Sequence, residues 1–336
     1  MISMKKRFLP LSLILFLFAV LIGCSSSDDS TNESSNSDKI VIAAIPKATG
    51  GDFWETVEQG ARRAATELDI ELKWEGTVTE TEIAEQTKII ENMINLGVDA
   101  IALAPLNNQA QRKPVQSAID NGIPVVVFDS SIDGNAHSSF VATDNQLGGS
   151  LGAQFLSKKI GSKGRVVVFR YVQGTASTAK RADGFIATAK AAGLEIAADP
   201  FSESGTLEGS KSVVANTLER FIENGKLSLD GIFAANLTTT LGVSSALDDL
   251  RSSGIEVDLA FVGFDSSVKL VKEVQTGKID ALIVQSPEKM GYLAVKTAFA
   301  VVQGKPVEAH VDTGVQVVTA NRLETEPEIR ALVGLK

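Results

Sequence analysis

From residue 39 onward, short apolar runs alternate with longer segments in which apolar residues recur every three to four positions. Residues 40–45 form a compact apolar run. Residues 53–68 then bring Val57, Ala61, Ala64, Ala65 and Leu68 onto one face of a helix. A strand is predicted over 70–74, and a helix over 81–96 through Ile83, Ile90, Met93 and Ile94. Strands over 99–104, 124–128 and 139–142 follow, with a helix over 109–121. The cycle restarts with helices over 147–160, 176–192, 208–222, 239–252, 267–275 and 287–302. Strands over 165–169, 194–197, 231–234, 258–262 and 279–284 lie between them. Unbroken apolar strands between amphipathic helices imply parallel sheets covered on both faces. The predicted class is therefore α/β, and the length favours two units of similar size.

In open parallel sheets, ligands bind beyond the carboxyl ends of the strands. The residues there are Pro46-Lys47, Pro105-Leu106, Asp129-Ser130, Tyr171-Val172, Ala235-Asn236, Phe264-Asp265 and Gln285-Ser286. Most are polar or aromatic, which suits a carbohydrate site. Polar side chains meet hydroxyls, and flat rings meet C–H faces.

The amino-terminal residues fall outside the α/β pattern. Lys5, Lys6 and Arg7 precede an apolar run over 8–22 that is short for a membrane span and right for a signal-peptide core. Leu21-Ile22-Gly23-Cys24 resembles the lipobox of bacterial lipoproteins, which implies cleavage after Gly23 and a lipid on Cys24. Cys24 is the only cysteine, and lipid modification accounts for a lone thiol in an exported chain. Two acyl chains give stable anchoring where one does not. Residues 24–38 are rich in Ser, Asp and Asn and read as a flexible tether. The net charge of −9 argues against nucleic acid as a partner. One cysteine and two histidines, His137 and His310 in predicted loops, leave no disulfide and no Cys/His zinc site. No cofactor is expected.

A set of segments in fixed order carries a family likeness. They are Gly51-Asp52-Phe53-Trp54 with Gly60-Ala61, Gly97-Val98-Asp99-Ala100-Ile101 before Ala104-Pro105, and Gly122-Ile123-Pro124-Val125-Val126 running into Asp129. Asp144-Asn145 before Gly148-Gly149, Lys180-Arg181-Ala182-Asp183-Gly184-Phe185, Asn236, Val262-Gly263-Phe264-Asp265 and Gln285 complete the set. Over about residues 39–323 the chain resembles the type 1 periplasmic binding proteins of sugar importers, in particular the ribose-binding group. The resemblance implies two lobes joined by three crossings: 39–143 with 286–312, and 144–285 with 313–336, after a leader over 1–23. It also implies hinge closure on a ligand held between the lobes, a membrane permease as partner, and a monomer outside the cytoplasm.

Residue by residue, Phe53 and Trp54 match the aromatic pair that packs on the sugar ring, with the indole N–H as a further donor. Asp129 matches the acid that accepts ligand hydroxyls, and Arg181 the arginine that donates to ligand oxygens from the other lobe. Asn236 offers donor and acceptor, Asp265 and Gln285 are further polar contacts, and Phe264 is an apolar one. By side-chain chemistry alone, Asp129→Ala or Arg181→Ala weakens binding about 10- to 150-fold and barely changes fold stability. Three departures put ribose itself in doubt. Ser130 stands where the pentose group has arginine, Leu237 follows the asparagine where an aspartate is common, and Lys47 replaces a small polar residue. Lys47 fits recognition of an acidic sugar, or a solvated lysine at a strand end, and the second is the plainer reading.

Competing functions find little purchase. Gly242-Val243-Ser244-Ser245-Ala246 lacks the final glycine of a nucleophile elbow, and residues 174–180 lack the glycine before lysine of a phosphate loop. A helix-turn-helix headpiece, as in the repressors that share the two-lobed fold, would occupy the place of the leader and tether. A sensor kinase or chemoreceptor partner, with a nucleoside, sugar acid or autoinducer as ligand, uses the same binding chemistry and stays open beside import.

Overall fold

The computed structural model describes residues 39–335; the expected leader, Cys24 and the expected tether lie outside the described residues. The chain begins as β1 (Val41–Ile45), α1 (Asp52–Leu68), β2 (Glu71–Trp74), α2 (Ile83–Leu96), β3 (Ala100–Leu103), α3 (Arg112–Asp120), β4 (Val125–Phe128) and β5 (Ser139–Ala142). It continues as α4 (Asn145–Ile160), β6 (Arg165–Phe169), α5 (Ala176–Ala191), β7 (Glu195–Ala198), α6 (Leu207–Glu219), β8 (Ile222–Glu223), β9 (Lys226–Leu227) and β10 (Gly231–Ala234). Then come α7 (Leu237–Ser252), β11 (Ala260–Phe264), α8 (Val268–Gln275), β12 (Ala281–Gln285) and α9 (Pro287–Val302). It ends with β13 (His310–Asp312), β14 (Val315–Val318), α10 (Ala320–Thr325) and α11 (Pro327–Leu332).

Two six-stranded sheets result, in the orders β13-β5-β4-β3-β1-β2 and β14-β12-β11-β10-β6-β7. Every pairing in them is parallel except β12 with β14. Each sheet with its covering helices forms one lobe. The chain leaves the first sheet after Ala142, returns to that lobe after Gln285, and crosses again after Asp312. The outer crossings are tied together: Thr313 N donates to Ala142 O at 3.0 Å, and the Thr143 and Thr313 hydroxyls meet at 3.2 Å.

Each lobe contains one helix pair packed backbone to backbone. A Cβ on Gly60 of α1 would stand 1.9 Å from Glu288 O, and one on Gly291 of α9 would stand 1.9 Å from Val57 O. In the second lobe, a Cβ on Gly149 of α4 would stand 1.9 Å from Arg181 O, and one on Gly184 of α5 would stand 2.3 Å from Gln146 O. Only glycine permits such approach. These contacts hold the start of α1, with Phe53 and Trp54, and the middle of α5, with Arg181, in fixed places beside the strand ends.

Several boundaries differ from the sequence reading. The helix expected from residue 109 starts at Arg112, because Asn107 Oδ1 accepts from Gln109 N (3.0 Å) and Ala110 N (2.9 Å) and turns the chain first. The helix expected to reach residue 222 stops at Glu219, and the β8–β9 hairpin follows around Asn224 and Gly225, with φ of 51° and 73°. Positive φ at both turn residues suits a tight hairpin. The strand expected over 258–262 runs Ala260–Phe264, which carries Phe264 into the sheet. His310 lies on β13 rather than in a loop and stacks on Phe140, ring centres 5.3 Å apart.

Candidate functional site

A cavity of about 240 Å³ lies between the lobes, where the carboxyl ends of both sheets face each other. From the first lobe, Lys47 follows β1, Phe53 and Trp54 open α1, Glu80 comes from the loop after β2, and Asp129 follows β4. From the second, Tyr171 follows β6, Ser177, Thr178 and Arg181 come from α5, and Thr206 precedes α6. Asn236 and Asp265 follow β10 and β11, and Gln285 ends β12.

Lys47 and Asp129 form a buried pair, Nζ to Oδ2 2.6 Å, with side chains 3% and 4% exposed. Lys47 is thus not a solvated strand-end lysine. Asp129 has a φ of 60°, a turned backbone that ends β4 and swings the carboxylate over the sheet edge. Aspartate tolerates this conformation better than most residues. Phe53 and Trp54 meet edge to face, centroids 5.0 Å apart, and Trp54 packs against Phe128 at 6.3 Å. The Trp54 indole N–H donates to Glu80 Oε1 at 2.7 Å. That donor, expected to serve a ligand, is already engaged, and the ring surfaces remain.

In the second lobe Arg181 is 2% exposed. Its Nε donates to Asn145 Oδ1 at 2.7 Å, its Nη1 donates to Ala235 O at 3.2 Å, and Asp265 Oδ2 lies 3.6 Å away. The guanidinium stacks on Phe264 at 4.0 Å, and Nη2 remains for the cavity. Stacking and these bonds preset the fork. Asp265, with φ of 66°, accepts from Gln285 Nε2 at 2.7 Å and from Leu237 N at 3.1 Å. Burial pushes its carboxyl above the usual range, against the pull of Arg181 and these donors. Gln285 Oε1 is buried without a protein partner, an acceptor suited to a ligand hydroxyl. Asn236 caps α7: its Oδ1 accepts from Thr239 N (3.0 Å) and Thr239 Oγ1 (2.8 Å). Its acceptor is therefore in use, leaving the amide N–H groups rather than the donor and acceptor expected.

Two expected contact residues stand behind the cavity wall. Phe264 is fully buried beneath Arg181, because strand alternation turns it inward toward Gly148 of α4. Ser130 is also fully buried, and its Oγ accepts from Ser177 N of the other lobe at 3.0 Å. Ser130 belongs to a set of bonds across the cleft. Lys47 Nζ donates to Ser177 Oγ at 3.2 Å, Asn108 N to Gly174 O at 3.2 Å, and Thr175 Oγ1 to Leu106 O at 3.4 Å. The lobes are in contact around the cavity.

Tyr171, a strand-end residue with no assigned role in the family likeness, also lines the cavity. Its buried hydroxyl donates to Gly205 O at 3.2 Å, and burial pushes its pKa far up. Glu80 lines the cavity from outside every segment of the family likeness. The same strand-end rule applied to β2 would have reached the Thr77–Glu82 stretch, but no motif marks it. Burial pushes the Glu80 carboxyl up, with Lys47 and the Trp54 N–H pulling it down.

A family model described as periplasmic binding protein domain matches residues 42–306. The chain is 27% identical over 319 residues to the ribose import binding protein of Bacillus subtilis, covering 94% of this chain and 99% of that one. A carbohydrate transporter solute-binding protein from Agrobacterium radiobacter, solved with D-arabinose, superposes with a TM-score of 0.81 at 32% identity over 89% of this chain and all of its own. One from Agrobacterium vitis, solved with D-fucose, gives 0.80 at 32% identity over 86% of this chain and 98% of its own.

Proposed function

The chain belongs to the periplasmic binding protein domain family, and on that premise we propose that it captures one small hydroxyl-rich molecule, a sugar or polyol, between its lobes and delivers it to an ABC importer. One observation carries the reading. Hydrogen-bonding groups of both kinds converge on one cavity between the lobes: Arg181, Asn236 and Lys47 as donors, and Asp129, Glu80 and Gln285 as acceptors, beside an aromatic wall of Phe53 and Trp54. A sugar hydroxyl both donates and accepts, so it needs such a mixture. At about 240 Å³ the cavity falls below the roughly 300–1,000 Å³ usual for drug-sized ligands, which favours a single monosaccharide over an oligosaccharide.

The mechanism follows from the division of labour. Neither wall alone surrounds a small polar ligand, so affinity depends on closure, and ligand shifts the population toward the closed form. The hinge runs through the tied crossings near Thr143 and Thr313 and the third at Ser286. Closure joins surfaces of both lobes and gives a permease something to distinguish from the open form. Bonds are gripped rather than broken, and the chain acts as a monomer. The lipid on Cys24 holds it at the outer face of a membrane, with the tether giving reach.

A thermal-shift screen across pentoses, hexoses, polyols, sugar acids and nucleosides tests the reading. A ligand at a hundred times its Kd adds about 2.7 kcal/mol, or roughly 4 °C in Tm for a chain of this size. No shift with any sugar or polyol, and a shift with a solute lacking hydroxyls, overturns it.

A further inference from the structure

Five charged side chains line the cavity: the cations Lys47 and Arg181, and the carboxylates Glu80, Asp129 and Asp265. Each cation has a carboxylate of its own, Asp129 at 2.6 Å from Lys47 and Asp265 at 3.6 Å from Arg181. Glu80 is the third carboxylate. Its Oε1 accepts from a neutral indole N–H at 2.7 Å, the Tyr171 hydroxyl beside it is neutral too, and the carboxyl lines the cavity.

The loop that carries Glu80 is held in place. Glu82 Oε2 accepts from Val78 N at 2.9 Å and from Thr79 N at 2.7 Å. Thr77 Oγ1 lies 2.6 Å from Lys47 O, and Thr49 N donates to Thr77 O at 3.0 Å. Glu80 therefore presents a preset acceptor and does not wander in from solvent.

We propose that Glu80 sets the charge class of the ligand: it accepts hydroxyl protons from an uncharged monosaccharide and excludes sugar acids. The inference rests on the sugar-binding reading above and argues against the acidic-sugar role of Lys47, its solvated role being excluded by burial. A lysine already matched by Asp129 offers an acidic sugar no free positive charge. A ligand carboxylate about 5 Å from Glu80, at an effective dielectric of about 20, meets repulsion equivalent to a loss of affinity of more than about a hundredfold. An uncharged sugar meets no such penalty, and its hydroxyl supplies a further donor to the carboxylate. Burial pushes the Glu80 pKa upward against the pull of Lys47, so the repulsion acts on the alkaline side of that raised pKa and fades as the carboxyl takes up a proton.

The test pairs uncharged sugars with acids of the same skeleton, D-glucose with D-glucuronate and D-galactose with D-galacturonate, beside D-ribose, D-arabinose and D-fucose. Binding is read by calorimetric titration at fixed ionic strength and at alkaline pH, on the ionised side of the raised Glu80 pKa. Wild-type protein is expected to prefer the uncharged member of a pair by at least about a hundredfold. Glu80→Gln keeps an acceptor for the Trp54 N–H, so the wall stays intact. It is expected to weaken the uncharged sugar about tenfold and to narrow the sugar-to-acid ratio at least about tenfold. Glu80→Asp keeps the charge and is expected to keep the discrimination, so the idea stays testable if the glutamine variant folds poorly. A wild-type protein that binds an acid as tightly as its parent sugar overturns the assignment, and so does an unchanged ratio in Glu80→Gln. Wild-type protein that binds no member of either group instead overturns the sugar-binding reading itself.

Discussion

Arg181→Ala is the perturbation whose consequences the structure fixes most tightly, because every protein partner of this side chain lies in the second lobe and stays with it whether the cleft is open or closed. The change removes the cation 3.6 Å from Asp265, a donor to Asn145 Oδ1 at 2.7 Å, a donor to Ala235 O at 3.2 Å, and the plane stacked on Phe264 at 4.0 Å. Breaking a buried ion pair by removing one partner costs about 3–5 kcal/mol. Asp265 keeps two donors, Gln285 Nε2 and Leu237 N, so the lower end applies. We expect Arg181→Ala to lose about 3 kcal/mol of stability, roughly 5 °C in Tm for a chain of this size. Ligand binding weakens about 10- to 150-fold as the charged hydrogen bonds go. This revises the expectation that Arg181 can be removed with little harm to the fold. The double variant Arg181→Ala with Asp265→Asn has no stranded charge and should regain at least about 1 kcal/mol, while binding stays weak. Urea denaturation of the ligand-free protein and calorimetric titration measure the two quantities. An Arg181→Ala protein within about 0.5 kcal/mol of wild type refutes the reasoning, as does a double variant less stable than the single one.

Three further outcomes are expected. Gly149→Ala puts a Cβ 1.9 Å from Arg181 O, so α4 and α5 must separate; stability falls by about 1–3 kcal/mol and ligand affinity falls with it, which denaturation and titration check together. Glu80 has a pKa raised by burial in the folded protein and an ordinary one near 4.3 when unfolded, so its contribution is full below that value and is lost as pH rises through the folded pKa. The stability of wild type relative to Glu80→Gln should therefore decline from about pH 4.5 toward neutrality, and a flat difference in Tm would count against a perturbed Glu80. Cys24→Ser should abolish labelling by a fatty-acid probe, and persistent label in that variant would remove Cys24 as the anchor.

The sequence by itself determined the class of fold. Strands such as Val125–Phe128 are apolar at every position, and α1 repeats Val57, Ala61 and Ala64 at helical spacing, so parallel sheets under helices follow from local pattern alone. The strand-end rule found most residues now seen around the cavity, because β-strand carboxyl ends in parallel sheets share one edge. The β8–β9 hairpin, β13 and β14 escaped because they are short or only half apolar. Only the tertiary structure decided which polar atoms are free. Asn236 Oδ1 is occupied by a helix cap, the Trp54 N–H by Glu80, and Lys47 by Asp129, each through a partner 3 to 82 residues away. It also brought Glu80 to the cavity from a loop with no motif, and turned Phe264 and Ser130 behind the wall. The physical reason is that hydrophobic periodicity is a local property of the chain. The remaining hydrogen-bonding capacity of a side chain depends instead on which neighbours long-range packing places within about 3 Å of it.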